Sequence, residues 1–209
     1  MFKRIIAHEY SSASTRFHSH YSIALMSVSD DSSITLLRTL STSFCCINIS
    51  SMDADTFIVS TYFHERPVRT IDLQGNVGDI QHKLLPNKAY VLFDSACTYI
   101  SSTNTLVFSD WNQNTVYMCD LTSGEGHVIK SDKIVRPRRV CAEPAGTVFV
   151  CSEDTHTLVQ LSQDGEILMI HDIGMACPYA VSLNNDGTRL VVSNFTKGQN
   201  MIKLFHVSR

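Results

Sequence analysis

Charge is scarce in this sequence. Asp, Glu, Lys and Arg make up 18% of its 209 residues, and 17 basic against 20 acidic side chains leave a net charge of -3. No global attraction to nucleic acid or to an anionic membrane follows from that balance, so neither DNA nor a membrane is an expected partner. Long apolar runs are missing too: none approaches the roughly 18 residues needed to span a bilayer. The opening MFKRIIAHEY has two consecutive aliphatics before His8 and Glu9, short of the roughly 7 to 15 apolar residues at the centre of a secretory signal. Seven cysteines form an odd set with no C-x-x-C spacing. Reduced, buried thiols in a cytoplasmic protein are the expectation, and the N-x-S/T sites at Asn48 and Asn194 would matter only in a secreted chain.

Catalytic signatures are absent as well. Neither a Walker sequence nor a nucleophile elbow occurs, His64-Glu65 lacks the second histidine of H-E-x-x-H, and Gly124-x-Gly126 falls at a hairpin rather than between strand and helix. His18-Ser-His20 would share one strand face, but two ligands are too few for a closed metal site. No metal and no cofactor are expected.

What the sequence does hold is Val, Ile, Thr and Ser in quantity, within 44% hydrophobic residues, which favours strands. Four stretches share one layout: an apolar run ending in a small residue, about six polar residues, then an alternating run. They are FIVSTYFHERPVRTIDLQGN, LVFSDWNQNTVYMCDLTSGE, VFVCSEDTHTLVQLSQDGE and LVVSNFTKGQNMIKLFHVS. Their small residues Ser60, Ser109, Cys151 and Ser193 are 49, 42 and 42 residues apart. Each stretch follows another apolar segment, CCINIS, AYVLFDS, PRRVCAE or PYAVSLN, and in the first three a Gly-containing corner and a short segment come after it.

The unit therefore reads as four antiparallel strands, A to D, with A and B buried on both faces and C half exposed. A sheet this small cannot bury its own faces, and repetition about an axis solves that problem. A two-sheet sandwich would not impose the fixed period. The predicted fold is all-β, a β-propeller with repeats over residues 44–86, 87–132, 133–175 and 176–209, in one domain covering 1–209. Further strands in SIALMSV and SITLLRTL, with FKRIIAH as a candidate edge strand, make a fifth, poorly matched blade. The total is about 17 or 18 strands where six complete blades would need about 24. In one closure of the ring the segment around Ile5 and Ile6 supplies the missing strand D of the last blade.

These units resemble NHL repeats, whose pattern runs Pro-x-x-Val/Ile, a Gly turn, an apolar run ending V-x-D/S, polar residues, an alternating strand and a D-G corner. Pro137-Arg138-Arg139-Val140 through Asp164-Gly165, and Pro178 through Val207, carry the match best. The chain is similar in particular to the C-terminal propellers of tripartite-motif (TRIM) proteins, and the resemblance covers about residues 40–209. It implies a non-enzymatic module that recruits partners for a ubiquitin ligase. No zinc-ligand pairs or heptads are present, so no ligase activity is expected of this chain.

In such a blade the B-C and D-A connections meet at one end, the usual place for binding residues. The predicted contact residues there are Tyr62, His64, Arg66, Trp111, Asn112, Lys133, Arg136, Arg138 and His156. Trp111, the only tryptophan, either anchors a partner or packs between blades. KSDKIVRPRR concentrates five basic residues in ten, which could hold single-stranded RNA. Strict alternation from Pro137 onward would instead send Arg138 and Arg139 to opposite faces. A third reading, a calcium-dependent lactonase or esterase, would use Glu65, Asp110, Glu153 and Asn194 as oxygen ligands.

Overall fold

A computed structural model describes residues 3–11, 20–29, 31, 33–62, 64–85, 95–143, 145–184, 186–198 and 200–207. Among them are eighteen strands in five antiparallel sheets. The first holds β1 (Lys3–Ser11), β2 (His20–Val28) and β3 (Ile34–Thr42). The second holds β4 (Cys45–Ser51), β5 (Thr56–Tyr62), β6 (Val68–Asp72) and β7 (Val77–Asp79); the third holds β8 (Ala96–Ile100), β9 (Thr105–Asp110), β10 (Thr115–Asp120) and β11 (Gly126–Lys130). In the fourth are β12 (Pro137–Ala142), β13 (Val148–Ser152), β14 (Thr157–Leu161) and β15 (Ile167–Asp172), and in the last β16 (Pro178–Leu183), β17 (Arg189–Asn194) and β18 (Ile202–His206). Each sheet is a meander paired in chain order, and the innermost strands β4, β8, β12 and β16 follow one another in contact. This is the blade arrangement of a β-propeller.

Equivalence of the blades is visible in their second strands. Val59, Phe108, Val150 and Val192 are all fully buried, and each faces the preceding sheet. Val59 packs with Ile23, Leu25 and Leu40, Phe108 with Ile58 and Val68, Val150 with Val107 and Met118, and Val192 with Phe149 and Leu158. The intervening residues Ile58, Val107 and Phe149 face the following sheet. Double-sided burial makes β5, β9 and β13 almost wholly buried. β17 has the same kind of sequence, yet Val191 is 38% exposed, and Ile202 and Leu204 of β18 are more exposed still, because among the described residues no sheet covers that face. The first sheet likewise leaves Ile34 and Leu36 exposed on the face away from its neighbour. Among the described residues, no sheet covers either of these two outer faces.

Two sequence expectations change here. Ile5 and Ile6 do not complete the last blade: β1 pairs along its whole length with β2, with Ile5 opposite Met26 and Ile6 opposite Leu25. Nine residues of β1 against nine of β2 make a longer ladder than the five-residue edge of β18 offers. The first strand of the third sheet is ACTYI, not AYVLFDS; most of the latter lies outside the described residues. A tight turn at 101–104, closed by Asn104 at positive φ, sets where β8 must pair with β9.

Candidate functional site

The B-C and D-A loops meet at one end, as expected, and they are bonded to each other. Glu153 N–H donates to Arg136 O at 3.3 Å and Phe195 N–H to Cys177 O at 3.2 Å. A second lock recurs in two consecutive blades. Asn114 and His156, each last in its B-C loop, accept through Oδ1 and Nδ1 the backbone N–H of Arg136 (2.8 Å) and Cys177 (3.1 Å), each last in its D-A loop. All four residues have φ between 50° and 59°, a left-handed conformation that non-glycine residues hold at a cost of order 1–3 kcal/mol each.

Strand A of three blades carries a register shift near its start, at Cys46/Asn48, Pro137/Val140 and Pro178/Ala180. A bulge re-aims side chains, and these bulges bring Ile47, Arg138, Arg139 and Tyr179 together. Arg139 Nη2 donates to Ile47 O at 2.9 Å. The Arg138 and Arg139 guanidinium carbons lie 5.3 and 5.9 Å from the Tyr179 ring centroid. The expectation that these arginines serve opposite faces is thus corrected, because the bulge interrupts the alternation.

Around Arg138 a compact cluster forms. Its Nε and Nη2 donate to the two Glu153 carboxylate oxygens at 2.8 and 2.9 Å, and Trp111 Nε1 donates to Glu153 Oε2 at 2.8 Å. The Arg138 and Arg136 guanidinium carbons both lie over the Trp111 ring, 5.1 and 4.8 Å from its centroid. Arg136 is half exposed and pairs with Asp154 at 3.4 Å. Burial pushes the Glu153 carboxyl up, but the bonds from Arg138 and Trp111 and the nearby arginine charges outweigh it and hold the group below its usual value. Asp110 behaves oppositely: burial raises it, although Gln113 N–H donates to its Oδ1 at 3.0 Å. Its Oδ2 has no hydrogen-bond partner among the described residues.

Of the predicted contact residues, Trp111, Arg136 and Arg138 come together, with His156 in the loop beside them. Asn112 is exposed next to Trp111. The other predicted residues stand apart. Tyr62 ends β5 opposite Cys45, His64 Nδ1 accepts from Arg66 N–H at 3.1 Å, and Arg66 pairs with Asp79 at 3.1 Å. Lys133 pairs with its neighbour Asp132 at 3.1 Å. Phe63 and His18 lie outside the described residues. Sequence reasoning left Tyr179 and Glu153 out of the predicted contact residues, although it placed the Glu153 loop at the binding end and named Glu153 as a candidate metal ligand. The signal for both was the repeat itself: Tyr179 follows the strand-opening Pro178 as Arg138 follows Pro137, and Glu153 is the first residue past β13.

No protein-family profile matches the sequence, and no curated protein matches it. Solved structures do. A chain of a nidogen/laminin complex superposes with TM-score 0.65 at 11% identity, over 96% of this chain and 78% of the other. A 6-phosphogluconolactonase-like protein of Bacteroides uniformis gives 0.60 at 13%, over 98% and 64%. Virginiamycin B lyase of Staphylococcus aureus gives 0.57 at 12%, over 100% and 75%. The chain thus spans less than two thirds of the lactonase-like protein. At these identities the likeness defines the fold, a β-propeller, and the class of protein goes no further than that.

Proposed function

We propose that this chain is a non-enzymatic protein-interaction module, similar in role to the partner-recruiting NHL propellers of TRIM proteins, with its contact surface at the B-C and D-A loop end. The observation that carries the reading is the Arg136–Trp111–Arg138 stack clamped by Glu153. Trp111 is held through its bond to Glu153, and the half-exposed Arg136 guanidinium lies over its ring. A preordered aromatic and arginine pair loses little entropy on binding and suits an acidic or aromatic protein surface. That a neighbouring fold was solved in a nidogen/laminin complex is consistent with such a use.

RNA binding is less well supported, because two of the five basic residues are engaged inside the fold. Arg138 pairs with the largely buried Glu153, and Arg139 donates to Ile47 O. The hydrolase reading is weakened in the same way. Glu153 is occupied by Arg138 and Trp111, while the Asn194 side chain donates to Ala176 O and accepts from Met201 N–H.

Affinity capture with the parent chain, Arg136→Glu and Trp111→Ala, each with and without ribonuclease, tests the proposal. Protein partners that survive the nuclease and are lost with Arg136→Glu are expected. Retention of every partner by both variants refutes the assignment of this surface, and loss on nuclease treatment favours RNA.

A further inference from the structure

Three sheets carry a fourth strand on the outer side of strand C: β7 beside β6, β11 beside β10, β15 beside β14. In the last sheet β18 holds the place of strand C, and no fourth strand lies beside it among the described residues. Where that strand would lie there is a groove of about 370 Å³ between the fourth and last sheets, whose walls include Leu158, Met169, His171, Leu190, Phe205 and Val207. The wall on the β15 side is already built. Met169 and His171 are opposite Gln160 and Leu158 in the ladder and share the face turned toward the last sheet. Lys203 fixes the other side by donating from Nζ to Ile173 O (2.9 Å) and Gly174 O (2.7 Å). Beyond the missing strand's opposite face, Ile202 and Leu204 are 77% and 57% exposed.

We propose that β18 takes up an extended peptide strand from a partner protein, added antiparallel as the fourth strand of the last sheet. Backbone bonds to the free edge would provide affinity, as in other strand-addition complexes, and side-chain alternation would provide selectivity. One set of alternate residues enters the groove beside Phe205 and Met169, and the other covers the side of Leu204. The favoured ligand is therefore a five- or six-residue strand with apolar residues on both faces. A second copy of the chain does not fit through a twofold β18–β18 pairing. Successive blades stack strand over strand, so β15 already lies over the fourth position, where the second copy would place its own β14.

The probe is a labelled peptide copying residues 165–173, which already serves as fourth strand to β14, with lysines added outside the strand for solubility. Fluorescence anisotropy is expected to show saturable binding. Nα-methylation at alternate residues of one set should weaken it at least tenfold, while methylation of the other set changes it less than threefold, since one edge of the added strand faces β18 and the other faces water. Photo-cross-links from the peptide should fall on β18 and β15. Leu204→Lys, checked for an unchanged β-sheet circular dichroism spectrum, should also weaken binding. The proposal is overturned by absence of saturable binding, by equal effects of the two methylated series, or by cross-links to the outer edges of β7 or β11. It is also overturned by sedimentation showing a dimer that Leu204→Lys dissociates.

Discussion

Removing the Glu153 carboxylate tests the central cluster most directly. Arg138 and Glu153 retain only 10% and 15% of their side-chain exposure, so their bidentate pair is little screened by solvent. Breaking a buried pair by deleting one partner costs about 3–5 kcal/mol, because the remaining charge stays buried. Both groups keep some contact with water, which puts the expected loss for Glu153→Ala at the lower end, about 3 kcal/mol. Glu153→Gln keeps one acceptor and loses the charge, so about 1.5 kcal/mol is expected. Arg138→Met combined with Glu153→Leu should recover most of the loss, since an apolar pair leaves no stranded charge. Urea denaturation followed by fluorescence reads both the stability and the site, because Trp111 is the only tryptophan and its Nε1 is bonded to this carboxylate. The pH dependence has a fixed sign. Glu153 is depressed in the folded chain, so its contribution is complete above the unfolded value of about 4.3 and disappears as pH falls through the folded value. Glu153→Gln should lack that component of acid destabilisation. A loss below about 1 kcal/mol for Glu153→Ala, with unchanged Trp111 emission, would refute the account.

Other outcomes follow from the same geometry. Phe108→Ala, at a fully buried position between the second and third sheets, should cost about 3–5 kcal/mol in denaturant titration. Val191→Ala, at the corresponding strand but on the uncovered face, should stay within about 0.5 kcal/mol. Gly165 sits at φ +82°, where an added Cβ would come within 3.0 Å of Ile129. Gly165→Ala should therefore lower the melting midpoint more than Gly124→Ala, which meets nothing. Burial raises the Cys46 thiol to about 12, so at pH 7.5 fewer than about one in ten thousand is ionised. Maleimide should modify Cys46, Cys97 and Cys151 slowly in the native protein and rapidly in denaturant, and fast native modification would contradict the packing.

The blades were legible because their cause is local. An apolar run buried on two faces, a polar loop and an alternating strand each leave a pattern in consecutive residues, and FIVSTY, LVFSD, VFVCS and LVVSN fell where β5, β9, β13 and β17 stand. The third sheet's first strand was misplaced because AYVLFDS is the more apolar of two adjacent candidates. ACTYI won through pairing with β9, a non-local preference that propensity does not carry. For β1 the pattern left two places open, because either β2 or β18 could accept an apolar edge strand, and the edge of the first sheet is where it lies. The arginine cluster was legible as composition but not as geometry. KSDKIVRPRR shows five cations, whereas Asp154 and Glu153, the acidic partners of Arg136 and Arg138, come from the next loop.

The bulges explain why site and scaffold obey different rules here. Along β13 or β9 strict alternation assigns every side chain to one neighbouring sheet or the other, and nothing is left to face the axis. One extra residue at the start of β12 and of β16 breaks that assignment, so Arg138, Arg139 and Tyr179 turn toward one another instead of into separate interfaces. The left-handed residues Arg136 and Cys177 immediately precede those two strands, so the strained backbone and the bulge form one device, repeated a blade apart. Packing alone would favour relaxing both features, since each left-handed non-glycine residue costs free energy. Their persistence is balanced by the Asn114 and His156 acceptors that hold the two N–H groups. Asn114→Ala should therefore disturb the Trp111 environment without touching the ring, which distinguishes a positioned cluster from a chance contact among surface side chains.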